Sequence, residues 1–145
     1  MSYIKVWVHA VWSTKNREPV LKPPTLEKLC MHIKENAVSK SILIDRVNGH
    51  HDHIHVLMLL KYDYSISKQM QLLKGESAYW ANQNGLVKNK LEWGDKYFAA
   101  SISDGKIDFV RAYIDNQQEH HKKVTFEDEY KEFITALGYT EEDFG

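Results

Sequence analysis

Two strand-like segments, residues 41–47 (SILIDRV) and 51–61 (HDHIHVLMLLK), meet across Asn48-Gly49. Both are dense in β-branched and aliphatic side chains, and Asn-Gly tolerates the positive φ of a tight hairpin turn. An antiparallel pair is therefore expected here, and it constrains the elements around it. Residues 3–13 (YIKVWVHAVWS) alternate and read as an earlier strand. Residues 14–24, with three prolines and the bases Lys15, Arg17 and Lys22, read as a loop. Thr25 is placed to cap a helix whose apolar positions are Leu26, Leu29, Cys30, Ile33 and Ala37. After the hairpin, Ser65 or Ser67 caps a second helix carrying Ile66, Met70, Leu73 and Trp80 on one face. A polar stretch from Gln83 to Lys90 leads to a strand near Tyr97–Ile102, Asp104-Gly105 is a turn, and a third helix is expected from Ile107 to His121.

The order β-α-β-β-α-β fits the split βαβ, ferredoxin-like motif, an α+β fold with an antiparallel sheet. Helices cover one face of such a sheet and leave the other open to a ligand or a second subunit. A tyrosine-bearing helix follows the fourth strand. Residues 1–124 form the body, and residues 125–145 are an acidic amphipathic tail, with Phe126, Tyr130, Phe133, Ile134 and Leu137 at helical spacing. That tail is suited to docking on the body or on a partner.

Charge follows the same division. The chain of 145 residues has a net charge of −1, but residues 125–145 hold seven acids and one base, leaving 18 bases and 13 acids in residues 1–124. The body is mildly basic, which permits phosphate contacts without requiring them. One cysteine, Cys30, excludes an intrachain disulfide, suits a reducing cytoplasm and falls on the apolar stripe of the first helix. No apolar run is long enough to span a bilayer.

The densest functional cluster is His50-His51-Asp52-His53-Ile54-His55. Strand alternation points His53 and His55 to one face and Ile54 to the other. Two imidazoles so placed can hold one divalent metal, or be surface histidines. The same alternation sends Asp52 to the face opposite His53. A second cluster runs from Tyr113 to His121. Tyr113 and Gln117, four apart, share a helical face, and the Gln117 amide oxygen is an acceptable ligand for Mg²⁺ or Mn²⁺. Read alone, Tyr113 fits a core tyrosine with its hydroxyl at the edge, and Gln117 a solvated helix residue.

Taken jointly, a His-hydrophobic-His strand followed by a helix with Tyr and Gln at i and i+4 resembles the HUH nuclease superfamily. The short length, the single tyrosine and the element order resemble one branch, the single-tyrosine transposases of small bacterial insertion sequences and of repetitive extragenic palindromes. Residues 13–19 (STKNREP), 52–56 (DHIHV), 73–80 (LKGESAYW), 93–103 and 113–121 (YIDNQQEHH) carry the resemblance, in the family's order.

The resemblance implies a DNA transposase that cuts and rejoins single-stranded DNA at element ends. Tyr113 is then the nucleophile, forming a 5′-phosphotyrosine link. His53, His55 and Gln117 bind one Mg²⁺ or Mn²⁺, with His120 and His121 as accessory groups. Single-stranded DNA with hairpins is the expected partner. Lys15, Asn16, Arg17, Lys74 and Gly75 are candidate nucleic-acid contacts. Two cuts per element favour a homodimer with active sites shared between subunits. The implied setting is the bacterial cytoplasm, on the nucleoid when bound to DNA. One alternative is a catalytically lapsed, domesticated module that still binds DNA hairpins. Another is a zinc hydrolase, which needs a further strong ligand and a carboxylate base.

Overall fold

The computed structural model of the chain describes residues 3–136; Leu137, counted on the apolar face of the tail, lies outside them. Strands β1 (Trp7–Thr14), β2 (Ile44–His50), β3 (His53–Leu59) and β4 (Trp93–Ile102) form an antiparallel sheet in the order β2-β3-β1-β4. Helices α1 (Thr25–Ser39) and α2 (Ile66–Gln83) are the two crossovers. After β4 come α3 (Ile107–Asp115), α4 (Gln117–His120) and α5 (Phe126–Ala136). This is the split βαβ, α+β architecture that the sequence pattern implies.

Alternation along the central strands sets the layers. Register pairs Trp12 with Ile54, Ala10 with Val56 and Val8 with Met58. These six side chains are buried against Leu26, Leu29, Cys30 and Ile33 of α1 and Met70 and Leu73 of α2. Each large aliphatic buried here contributes about 1.5–3 kcal/mol. Burial, with help from Glu27, pushes the Cys30 thiol up to about 12, so the thiol is inert packing. Ser65 caps α2, its side chain accepting from the Lys68 amide at 3.1 Å. Thr25 is the first residue of α1 and makes no cap hydrogen bond.

The opposite face, expected to be open, is covered by the chain itself. Ile107, Val110 and Ile114 of α3 pack on Leu57. Phe126 of α5, with Tyr130 and Phe133 beside it, packs on Val11 and Phe98. The amphipathic segment after residue 124 thus docks on its own sheet, where the helical spacing of its aromatic residues finds an apolar patch.

Asn48-Gly49 is not the hairpin turn. The turn is His51-Asp52, while Asn48 pairs with His55 and Gly49 with Ile54 inside the ladder. Neither residue has a positive φ. The dipeptide is used for contact instead. The Asn48 amide donates to the Ile114 carbonyl at 2.9 Å and the Asp115 carbonyl at 3.4 Å. Those carbonyls are freed because the expected single helix over 107–121 breaks at Asn116 (φ −98°, ψ 17°). Gly49 is needed because a Cβ there would overlap the His53 carbonyl oxygen.

A bidentate pair fixes α3 from its other side. Arg111 donates from Nε to Asp45 Oδ2 at 2.7 Å and from Nη2 to Oδ1 at 3.1 Å. These hydrogen bonds hold the Asp45 carboxyl below its ordinary value of 3.8.

Two outcomes are expected. Gly49→Ala forces backbone apart at the β2–β3 ladder and should cost about 2–3 kcal/mol in urea unfolding. Asp45→Asn should lower the thermal midpoint near neutral pH. Because the folded carboxyl is the stronger acid, its contribution is complete above pH 3.8 and is lost as pH falls through the folded value. The gap between wild type and variant should therefore close in acid, which thermal melts across pH 2–7 would check.

Candidate active site

His53 and His55 stand on the same face of β3, both fully buried, as alternation requires. Their outer nitrogens are fixed by neighbours. His53 Nδ1 donates to Asp52 Oδ1 at 2.8 Å, and His55 Nδ1 lies 2.9 Å from His9 Nε2. Asp52 was expected on the far face. It lies in the turn rather than the ladder, so alternation does not apply and its carboxylate folds back onto His53. Burial raises the Asp52 carboxyl, but the His53 hydrogen bond and nearby imidazoles outweigh it and leave the group below its ordinary value.

With the outer nitrogens held, both Nε2 atoms face inward. The break at Asn116 turns Gln117 into this space, where it is fully buried. Its Nε2 donates to Glu129 Oε2 at 3.1 Å, which leaves Oε1 facing His53 Nε2 at 3.0 Å. His53 donates through Nδ1, so in its neutral form Nε2 carries a lone pair. Two acceptors then converge, an arrangement that calls for a cation between them, either a proton or a metal ion. An ion bound at about 2.1 Å to both, with the two at right angles, would separate them by about 3.0 Å. The donor set fits a divalent metal.

Glu129 of α5 lies at the centre of the cluster. Its Oε1 is 3.0 Å from His55 Nε2, 3.1 Å from His121 Nε2 and 3.5 Å from His53 Nε2. The Tyr113 hydroxyl donates to its Oε2 in a short hydrogen bond. His120 Nε2 is 3.2 Å from that oxygen without hydrogen-bond geometry. Burial opposes ionisation of Glu129, but hydrogen bonds from His121 and His55 dominate and hold its carboxyl far below the usual range. Burial lowers His55 to about 4 against the pull of Glu129, and lowers His9 to about 3 with help from His55. Both imidazoles are neutral at neutral pH, the form that binds metal. Tyr113 is shifted upward, first by burial and then by its hydrogen bond to Glu129.

His53, His55, Gln117 and Tyr113 are therefore brought together within one chain. The Tyr113 ring centroid is 5.7 Å from that of His55. Within the chain, α3 follows β4 through one short 3-10 turn (Asp104–Lys106) and packs on its own sheet. His121 joins the cluster, and His120 borders it. Glu129 and His9 were not picked out from the sequence. Glu129 falls within the apolar stripe Phe126, Tyr130 and Phe133, and an acid on that face was the available signal. His9 shares a strand face with Trp7 and Val11.

The candidate DNA contacts lie elsewhere. Asn16 and Arg17, both at positive φ, line a groove of about 430 Å³ with Tyr97, Phe126 and Tyr130. Lys15 pairs with Glu92 at 3.3 Å, and Arg17 with Glu127 at 3.1 Å. Lys74 and the exposed Gly75 border an adjoining hollow that shares Asp95 and Tyr97 with the groove. Lys74 Nζ donates to the Gly94 carbonyl at 2.8 Å. Both candidate clusters thus flank the start of β4.

A family model described as "Transposase IS200 like" matches residues 2–117. The chain belongs to the IS200-like transposase family. It is a DNA transposase by that membership, and its His/Glu cluster is able to hold a metal. Two solved structures share the fold of this IS200-like transposase. One is a candidate transposase from Deinococcus radiodurans R1, with TM-score 0.62 and 22% identity, covering 80% of this chain and 93% of that one. The other is a REP-associated tyrosine transposase bound to a REP hairpin, with TM-score 0.57 and 18% identity, covering 86% of this chain and 73% of that one. No curated protein matches the chain significantly. Among the described residues of the transposase, no helix is long and apolar enough to cross a membrane. The family match ends at Gln117, so Glu129 lies beyond it.

Asp52→Asn should leave the fold intact but loosen the tautomer and orientation of His53. A calorimetric titration with Mn²⁺ should then show affinity reduced by about 10–100-fold.

Proposed function

We propose that this transposase cleaves and rejoins single-stranded DNA with Tyr113 as nucleophile, and that DNA hairpins mark its substrate. The observation that carries the reading is the convergence of Tyr113 and Gln117 with His53 and His55 in one buried cluster. His53, His55 and Gln117 would hold one Mg²⁺ or Mn²⁺, which when bound supplies Lewis-acid polarisation of the scissile phosphate.

The remaining work belongs to the chain. Asp52 and His9 orient the two imidazoles. The Tyr113 oxygen attacks phosphorus, the bond to the 3′-oxygen breaks, and a 5′-phosphotyrosine and a free 3′-hydroxyl result. The phenol loses one proton and the leaving 3′-oxygen gains one, so the step balances, and the hydrogen bond to Glu129 holds the Tyr113 hydroxyl in the cluster. Retention of the phosphodiester in the tyrosine link lets a second 3′-hydroxyl reverse the step and seal a new junction without ATP.

Substrate would run along the groove at the start of β4, where Asn16, Arg17, Lys74 and Gly75 lie about Tyr97, with Lys15 in a neighbouring hollow that shares Asn16. Basic groups beside an aromatic suit a single strand, through phosphate contacts and stacking. The hairpin named for the REP-associated relative supports hairpin recognition here. Each chain has one Tyr113, so two cuts at two ends favour a homodimer. In this reading residues 1–124 are the catalytic unit, residues 125–145 are an appended acidic tail, and the protein works on DNA in the bacterial cytoplasm.

Covalent trapping tests the proposal. Single-stranded DNA from the flanks of the gene is incubated with protein and Mn²⁺ or Mg²⁺, then run on a denaturing gel. A metal-dependent shifted band is expected with wild type and not with Tyr113→Phe or His53→Ala. No band from any flank, with folded and metal-bound wild type, would overturn strand transfer in favour of a hairpin-binding module that no longer cuts.

A further inference from the structure

We infer that Glu129 is itself a metal ligand, and that with His121 it gives the centre a four-donor set that favours a transition-metal dication, such as Mn²⁺ or Zn²⁺, over Mg²⁺. The inference rests on the reading of His53 and His55 as metal ligands. It adds two residues that lie beyond the family match and places part of the centre on α5.

The distances carry the argument. One donor atom from each of His53, His55, His121 and Glu129 lies within 4.8 Å of all the others. The three imidazole nitrogens stand 3.0, 3.1 and 3.5 Å from Glu129 Oε1. Four donors bound tetrahedrally at about 2.0–2.1 Å are separated by about 3.3–3.4 Å. The three edges that meet at Glu129 Oε1 bracket that value, and the edges among the imidazole nitrogens are at most 4.8 Å, so rotation of the rings toward one ion would close the set.

The chemistry of the donors selects the ion. Three imidazoles and one carboxylate form a nitrogen-rich set of the kind used for zinc and its neighbours. Mg²⁺ prefers oxygen ligands in an octahedron and retains much of its water. The side chains of His53, His55 and Glu129 are 0% exposed and that of His121 3%, leaving little room for such a shell.

Burial supplies an independent reason. Glu129 is fully buried on the apolar face of α5, between Phe126 and Phe133, and its carboxyl is aimed at the imidazoles of His55 and His121. A buried carboxylate needs a compensating cation. A metal at this point compensates it and ties α5 to β3. Metal binding and docking of the C-terminal helix are then one linked equilibrium.

The test uses the full chain and two readouts. Co²⁺ and Zn²⁺ are titrated into wild type, Glu129→Gln, His121→Asn and His53→Ala, each checked for folding by circular dichroism. Wild type should give the intense visible Co²⁺ absorption of a four-coordinate site and prefer Zn²⁺ to Mg²⁺ by at least about 100-fold. Glu129→Gln should weaken Zn²⁺ by about 10–100-fold and alter the Co²⁺ bands, with His121→Asn moving both in the same direction. In wild type alone, Zn²⁺ should also slow amide exchange across α5, a readout that holds if a variant does not fold. Unchanged binding in Glu129→Gln with loss in His53→Ala, or no Zn²⁺ effect on α5 exchange, would overturn this inference and leave the two-histidine centre standing. No metal binding by wild type would overturn both.

Discussion

The pairing of β1 with β3 governs both halves of the molecule. Trp12, Ala10 and Val8 face Ile54, Val56 and Met58 on one side of the ladder, and all six are essentially removed from solvent. At about 1.5–3 kcal/mol for each large side chain, a one-residue slip would expose more apolar surface than the domain could tolerate. Because the side-chain period is two, the same register has no freedom on the opposite face. His53 and His55 are aimed at the site by the packing of Ile54 and Val56 beneath them. The geometry of the histidine pair is thus enforced by apolar contacts on the other side of the strand.

What the sheet presents on that face is a buried polar cluster, stable only if its groups satisfy one another. His9 holds His55, Asp52 holds His53, Gln117 bridges His53 to Glu129, and His121 and Tyr113 also bond to Glu129. The charges are unequal. His9 and His55 are kept neutral and Glu129 ionised, so the local field is negative and disfavours phenolate at Tyr113. Burial is the first cause of the upward shift of Tyr113, and Glu129 adds to it, so the hydroxyl and the imidazole cluster meet at one carboxylate.

Much of this was legible in the sequence, and the misses have physical causes. The element order and the shared face of His53 and His55 followed from periods of two and 3.6, while the place of Gln117 beside them was implied by the family resemblance. Boundaries followed less well. Asn48-Gly49 has the chemistry of a turn, but its use depends on α3, sixty-odd residues away, whose freed carbonyls Asn48 receives. Asp52 was misassigned because alternation holds only inside a ladder. Glu129 was hidden in a run of acids, and its role depends on a docked helix that local patterning cannot place. Long-range contacts decided each of these residues, and a single sequence does not encode them in local spacing.

The C-terminal helix connects the two functional regions. Glu129 reaches the imidazole cluster, while Phe126, Glu127 and Tyr130 line the groove that holds Asn16 and Arg17. The Arg17–Glu127 pair is about half exposed on both sides, so it contributes at most about 1 kcal/mol to holding α5 in place. Phe126, with Tyr130 and Phe133, supplies an apolar attachment that is small beside that of α1 and α2. Ile134 is a further buried aliphatic of α5, and the burial of Glu129 is favourable only while its partners compensate the charge. A helix attached this way responds to the state of the site it covers. Helix α5, most of it beyond the family match, thus borders both the groove at the start of β4 and the imidazole cluster.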